Sequence, residues 1–231
     1  MLVELLGPSG VGKSTVLQSA QLLRSEQPEW IGPSETITLL GASSARPDPA
    51  AVRVVFDEIE LRPLVDHSIA VLSRSSMTPS QKLLALSFLQ RSCYESSLLE
   101  AAPDGVTIVH DELILHRAFS LLLHAADLVA DTIRYFELAP IPDAAVVFVA
   151  DPDVIYARVQ GRSTMVNCYA GLDEPGLRRA ISKGLDISDI AAAVLTRRGV
   201  RVETVDSTGD SEAVARELNA HLRVFEDGGG Q

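Results

Sequence analysis

The sequence predicts an α/β fold with a five-stranded parallel sheet and helices on both faces. Three observations carry that expectation. Short, near-continuous apolar runs recur along the chain, as strands buried on both faces require. Helical periodicity fills the stretches between them. The first run, Met1–Leu6, leads into Gly7-Pro8-Ser9-Gly10-Val11-Gly12-Lys13-Ser14-Thr15, a G-x-x-x-x-G-K-[ST] pattern in strand–loop–helix order.

Taken in order, Met1–Leu6 is the first strand and Val16–Gln27 reads as the helix after the glycine-rich loop. The second strand falls in Glu35–Leu40 or Val52–Asp57, and the pattern does not choose between them. Gly41–Pro49, with two prolines among small and charged residues, is a loop. Ser80–Ala101 keeps apolar residues at helical spacing after a Thr-Pro-Ser start. Val106–His110 is the third strand, and Glu112–Ala126, apolar on most of its circumference, reads as a buried helix. Ala144–Ala150 is the fourth strand, and Asp151-Pro152-Asp153 starts a short helix to about Arg162. Arg162–Asp173 is a polar loop. Two helices follow, Glu174–Lys183 ending at Gly184 and Ile187–Arg198 ending before Gly199. Val200–Val205 is the last strand, Ser211–Val224 the last helix, and 227–231 a disordered tail.

At 231 residues the chain is long enough for one sizeable α/β domain, and 46% hydrophobic with 22% charged residues is ordinary globular composition. No apolar run approaches a membrane span, and the chain enters its first strand without a leader-like stretch. Cys93 and Cys168 have no metal-ligand spacing and suggest no disulfide framework, so a reducing cytoplasm is the expected setting. The formal net charge of −11 disfavours nucleic acid and anionic membranes as partners. It leaves room for a small anion held by a few arginines, and a homodimer is left open.

The loop pattern has a chemical reason. Glycines let the backbone wrap a phosphate chain with its N–H groups inward, and the following helix N-terminus adds favourable partial charge. Lys13 would reach the outer phosphates and the Ser14 hydroxyl would coordinate Mg²⁺. The second constellation is Asp111-Glu112, at the C-terminal end of an apolar strand, where open α/β sheets bind ligands. The bland alternative is helix N-capping by these acids. Which of the pair holds the metal and which accepts a proton stays open, with Asp111 favoured as base or metal carboxylate and Glu112 as its support. The third is Arg158 and Arg162, four apart on one helix face and just before a polar loop. They could neutralise charge on transferring phosphates, or simply form a solvated face.

Together these residues resemble a P-loop kinase of the thymidylate kinase and nucleoside/nucleotide kinase group. Val202-Glu-Thr-Val-Asp206-Ser-Thr before the last helix is similar too. The resemblance implies a three-layer P-loop NTPase fold with a small mobile lid over ATP, here about 159–175, in one domain spanning 1–226. It implies Arg158 and Arg162 as lid arginines, ATP and Mg²⁺ as cofactors, and γ-phosphoryl transfer to a small molecule. Two departures concern the acceptor: Asp111 is followed by Glu112-Leu113 rather than arginine and an aromatic, and the acceptor segment after the second strand is not recognisable.

Candidate acceptor residues within about 42–104 and just beyond are Asp57, Arg91 and Arg117, the arginines offering bidentate contact to a phosphorylated acceptor. His110, His116, His124 and Tyr94 read as structural. The competing classes are an ATPase using Asp111-Glu112 for hydrolysis, a GTP switch and a non-catalytic binding module. The chain carries no Leu-Ser-Gly-Gly signature and no Asn-Lys-x-Asp motif, and it keeps Lys13, Ser14 and Asp111. The acceptor could be a nucleoside monophosphate, a nucleoside, a sugar, an antibiotic hydroxyl or a modified base.

Overall fold

The computed structural model describes residues 1–24, 30–39, 60–99, 102–103 and 105–227. Five parallel strands form one sheet: β1 (Leu2–Leu6), β2 (Trp30–Ile31), β3 (Thr107–His110), β4 (Ala144–Val149) and β5 (Arg201–Asp206). Their order is β2-β3-β1-β4-β5. The central strands pair in register, with Val3 opposite Val109 on one side and Ala144 on the other. Their side chains are almost wholly buried, as a parallel sheet covered on both faces demands.

The helices are α1 (Lys13–Leu23), α2 (Pro33–Leu39), α3 (Arg62–Arg74), α4 (Pro79–Leu99), α5 (Ala118–Leu121), α6 (Leu128–Leu138), α7 (Pro152–Gln160), α8 (Glu174–Arg197) and α9 (Ser211–Asp227). The chain leaves β1 towards β2 in one direction and β3 towards β4 in the other. Right-handed crossovers then put the two connections on opposite faces. Accordingly α1 packs on α9, while α6 packs on α8 and α3.

Four expected elements differ. Of the expected strand Glu35–Leu40, residues 35–39 are helical and Leu40 lies outside the described residues: Pro33 and Glu35 start α2 there, the Gly32 N–H donating to Glu35 Oε2 at 2.8 Å. The edge strand is the two-residue Trp30–Ile31 instead, and Val52–Asp57 lies outside the described residues. Glu112–Ala126 is no continuous helix but a 3₁₀ turn, Leu115–Arg117, followed by α5. Its backbone groups are claimed from outside. Glu112 O accepts from Ser92 and Arg117, Ile114 O from the Tyr135 hydroxyl, and the His116 N–H donates to Glu4. A further helix, α6, begins after it, with Asp127 as N-cap accepting from the Ala130 N–H at 3.1 Å.

The third difference is that Glu174–Arg197 is one 24-residue helix running through Gly184. That glycine makes room rather than a stop, since a Cβ on it would lie 2.8 Å from Pro8 Cβ. Lastly, Arg162–Asp173 contains a 3₁₀ turn, Asn167–Tyr169, whose Cys168 and Tyr169 are core residues. The last helix also runs on to Asp227, so the first residue of the expected tail is helical; 228–231 lie outside the described residues.

Candidate functional site

The glycine-rich loop and the acidic pair meet at the carboxyl ends of β1 and β3, adjacent strands between which the connections reverse direction. Open α/β sheets bind ligands in such a crevice. The loop's backbone explains its glycines. Gly7 and Gly10 have φ of 139° and 90°. A Cβ would sit 2.7 Å from Phe148 O at Gly7 and 2.5 Å from Val159 Cγ2 at Gly10, so both positions exclude a side chain twice over.

Donors from outside the loop hold the carbonyls of Ser9 and Val11 outward. Val11 O accepts from Arg158 Nη1 at 2.7 Å and from Ser207 Oγ at 2.5 Å. Ser9 O accepts from the Tyr169 hydroxyl at 3.3 Å. Across a trans peptide the next N–H points the opposite way. The N–H groups of Gly10 and Gly12 are thereby turned to the other side, beside the N-terminus of α1, an arrangement suited to an anion.

Lys13 is buried, its Nζ donating to Gly7 O at 2.7 Å. Burial pushes its ammonium down to about 8, although the Asp111 and Glu112 carboxylates pull the other way. Ser14 Oγ donates to Asp111 Oδ2 at 2.7 Å across 97 positions of sequence. A hydroxyl and a carboxylate so placed are hard oxygen donors of the kind Mg²⁺ takes alongside phosphate oxygens. Among the described residues no three His, Cys, Asp or Glu side chains gather into a metal cage of their own.

Glu112 has a different situation. Its carboxylate is more than half exposed and meets Arg117 Nη2 at 3.3 Å. Arg117 is buried and committed, donating to Ser92 Oγ and to Glu112 O, both at 2.6 Å, with its guanidinium over the Phe88 ring. The Glu112 N–H donates to His110 Nδ1 at 3.1 Å, and burial holds that imidazole below its usual value. From beneath, Glu4 Oε1 accepts the His116 N–H at 2.9 Å, and burial pushes the Glu4 carboxyl up to about 8. The acidic turn is therefore braced on every side while one carboxylate projects.

That carboxylate opens onto a pocket of about 600 Å³ between α4, the 112–120 turn and the 164–170 segment, with Ser9 of the glycine-rich loop in its wall. A smaller cavity of about 240 Å³ lies on the other side of the loop, lined by Gly12, Thr15, Arg158, Arg162 and Ser207.

Gly7–Thr15, Asp111 and Glu112 are thus gathered at one place. Arg158 is there as well, as a brace on the loop and on Ser207 O rather than as a free cation. Arg162 is exposed at the small cavity, and its charge bears on Lys13. Arg117 reaches the large pocket. Arg91 does not line it; it is exposed and paired with Glu95 at 2.7 Å. Asp57 lies outside the described residues.

Sequence reasoning overlooked Glu4, Ser92 and Tyr135, and it quoted Ser207 within Val202–Thr208 without giving it a role. Glu4 did leave a signal, a lone charge inside an apolar strand; the others are common hydroxyls whose partners are distant in sequence. Compared with known proteins, the chain matches no family model and no curated relative.

Proposed function

We propose that the protein is an ATP-dependent small-molecule kinase of the P-loop type, similar in its parts to the thymidylate kinase group. The observation that carries this reading is the shared wall. Ser9 of the triphosphate-type loop and Glu112, next in sequence to the Asp111 that accepts from Ser14, both line a pocket large enough for a small acceptor.

In this reading the N–H groups of Gly7–Thr15 and the Lys13 ammonium hold the β- and γ-phosphates of ATP. Ser14 and Asp111 hold Mg²⁺, which when bound neutralises charge on the phosphate oxygens. Glu112 accepts the acceptor's hydroxyl proton as that oxygen attacks the γ-phosphorus. The bond from phosphorus to the bridging oxygen breaks, and its electron pair leaves with ADP. Arg162, whose charge bears on Lys13, adds a positive charge near the phosphates, and Arg158 keeps the loop in shape through Val11 O. Catalysis is then positioning plus electrostatics. The roles of the acidic pair divide: Asp111 is committed to Ser14, and Glu112 is the one that projects.

The test is ATP consumption measured against a panel of nucleotides, nucleosides and other hydroxylated compounds. At least one acceptor is expected to raise turnover well above the acceptor-free rate, and Lys13→Ala to abolish it with the fold intact. If no compound stimulates turnover, an ATPase using Glu112 to activate water replaces this reading. Wild-type turnover in Lys13→Ala would remove the loop from the mechanism altogether.

A further inference from the structure

The pocket beside Glu112 has a chemical character that goes beyond a generic acceptor site. Its walls are largely apolar: Leu84 and Phe88 from α4, Phe119 from α5, and Met165 and Val166 from the segment opposite. Leu84 and Met165 are among the large apolar side chains left exposed, at 39% and 40%, and they line this pocket from two different segments of the chain. An apolar body lodged between them would remove both from water.

Charge in the pocket is balanced, and its two charged groups are paired with each other. Among the described residues lining it, Arg117 is the one cation and Glu112 the one anion. The guanidinium spends Nε on Ser92 Oγ and Nη2 on Glu112 O and Glu112 Oε2. A phosphate ester entering here would meet a projecting carboxylate and would compete with it for the charge of Arg117. Like charges brought together in a site of this kind cost several-fold to many-fold in affinity.

Two polar atoms supply the recognition. His116 Nδ1 and Asn167 Nδ2 are closed off from solvent without a hydrogen-bond partner, and both residues line this pocket. Burial and the neighbouring cations hold His116 well below its ordinary value, so the ring is neutral and offers one N–H and one lone pair. Unpaired buried polar groups are costly, and a ligand carrying oxygen functions can recover that cost.

Resting on the kinase reading above, we infer that the acceptor is an uncharged alcohol with an apolar or aromatic body, gripped between Leu84 and Met165 and read through its neutral oxygen functions by His116 and Asn167. Its hydroxyl lies towards Glu112, which takes the proton as the oxygen forms its bond to the γ-phosphorus of ATP and ADP departs. The product is a monophosphate ester, and its own negative charge beside Glu112 favours release.

The experiment compares matched pairs in the ATP-consumption assay, each neutral nucleoside, sugar or aromatic alcohol beside its own monophosphate. The neutral member is expected to exceed its ester in kcat/KM by about tenfold or more. For the best acceptor, Asn167→Leu is expected to raise acceptor KM by about tenfold while leaving the KM for ATP unchanged. Preference for the phosphorylated members would overturn the inference and leave the kinase reading standing. Stimulation by none of the compounds would remove the kinase reading and the inference with it. An Asn167→Leu enzyme with unchanged acceptor KM would remove Asn167 from recognition.

Discussion

Burial within β1 pushes the Glu4 carboxyl from 4.5 up to about 8, against the pull of the His116 N–H and the Arg117 charge. The folded state thus holds its proton more tightly than the unfolded chain. The stability this contributes is fully present below about 4.5 and is lost as pH rises through about 8. Glu4→Gln keeps an oxygen to accept the His116 N–H and removes the titration. The variant is expected to gain on the wild type progressively from pH 4.5 to pH 8, by a few kcal/mol at the upper end. Denaturant midpoints measured across that range check it; a constant difference between the two proteins would refute the titration of Glu4. At this scale the sequence was legible where chemistry and spacing coincide. Gly7, Lys13, Ser14 and Asp111 stand where their pattern put them. His116 and Asn167 were not legible, because nothing near them in sequence reveals the pocket they line. Arg117 was expected as a grip on an acceptor phosphate; it lines the large pocket and braces the acidic turn, which was not legible because its partner Ser92 lies 25 positions away.

Gly184 shows how an element can carry a functional constraint far from the site in sequence. Interior glycine weakens a helix by about 1 kcal/mol relative to alanine, so propensity alone favours Gly184→Ala. Against that gain stands the Cβ position 2.8 Å from Pro8 Cβ, where the proline ring has no freedom to give way. Overpacking of that sort costs about 1–3 kcal/mol, and packing wins. Relief requires Pro8 to move, which displaces the Gly7–Thr15 backbone. The expected outcome is a kcat/KM for ATP reduced by about tenfold with only a small loss of stability. Unchanged turnover with stability raised by the propensity amount would show that α8 does not set the loop. The same contact explains why two helices were expected where one exists: a glycine directly after a lysine at the end of a helical run looks like a terminator until its neighbour is known. The broken 112–126 segment has the converse cause. Its apolar circumference predicted a helix, and side chains from β1, α4 and α6 took the backbone groups that a helix would have used.

For the molecule as a whole, the site draws on elements from both halves of the chain. The loop after β1, the turn after β3, Arg158 on α7 and Ser207 after β5 all bear on it. The sequence foresaw parallel strands and helices between them, but strand order and the two-residue edge strand depend on pairings that no local pattern encodes. This convergence has a thermodynamic consequence. A triphosphate held at the crevice would bind the folded state and not the unfolded chain, adding about 2.7 kcal/mol at a hundredfold excess over Kd. For a chain of this size each kcal/mol moves Tm by roughly 2–4 °C, so Mg·ATP is expected to raise it by about 5–10 °C. Chelating the metal with excess EDTA should cut the shift, because Ser14 and Asp111 would no longer share a cation with the phosphates. Lys13→Ala should lose most of it. Asn167→Leu, which alters the far pocket alone, should keep the full shift. A scan in which Mg·ATP leaves Tm unchanged while the neutral acceptor raises it would mean that the glycine-rich loop does not grip a triphosphate.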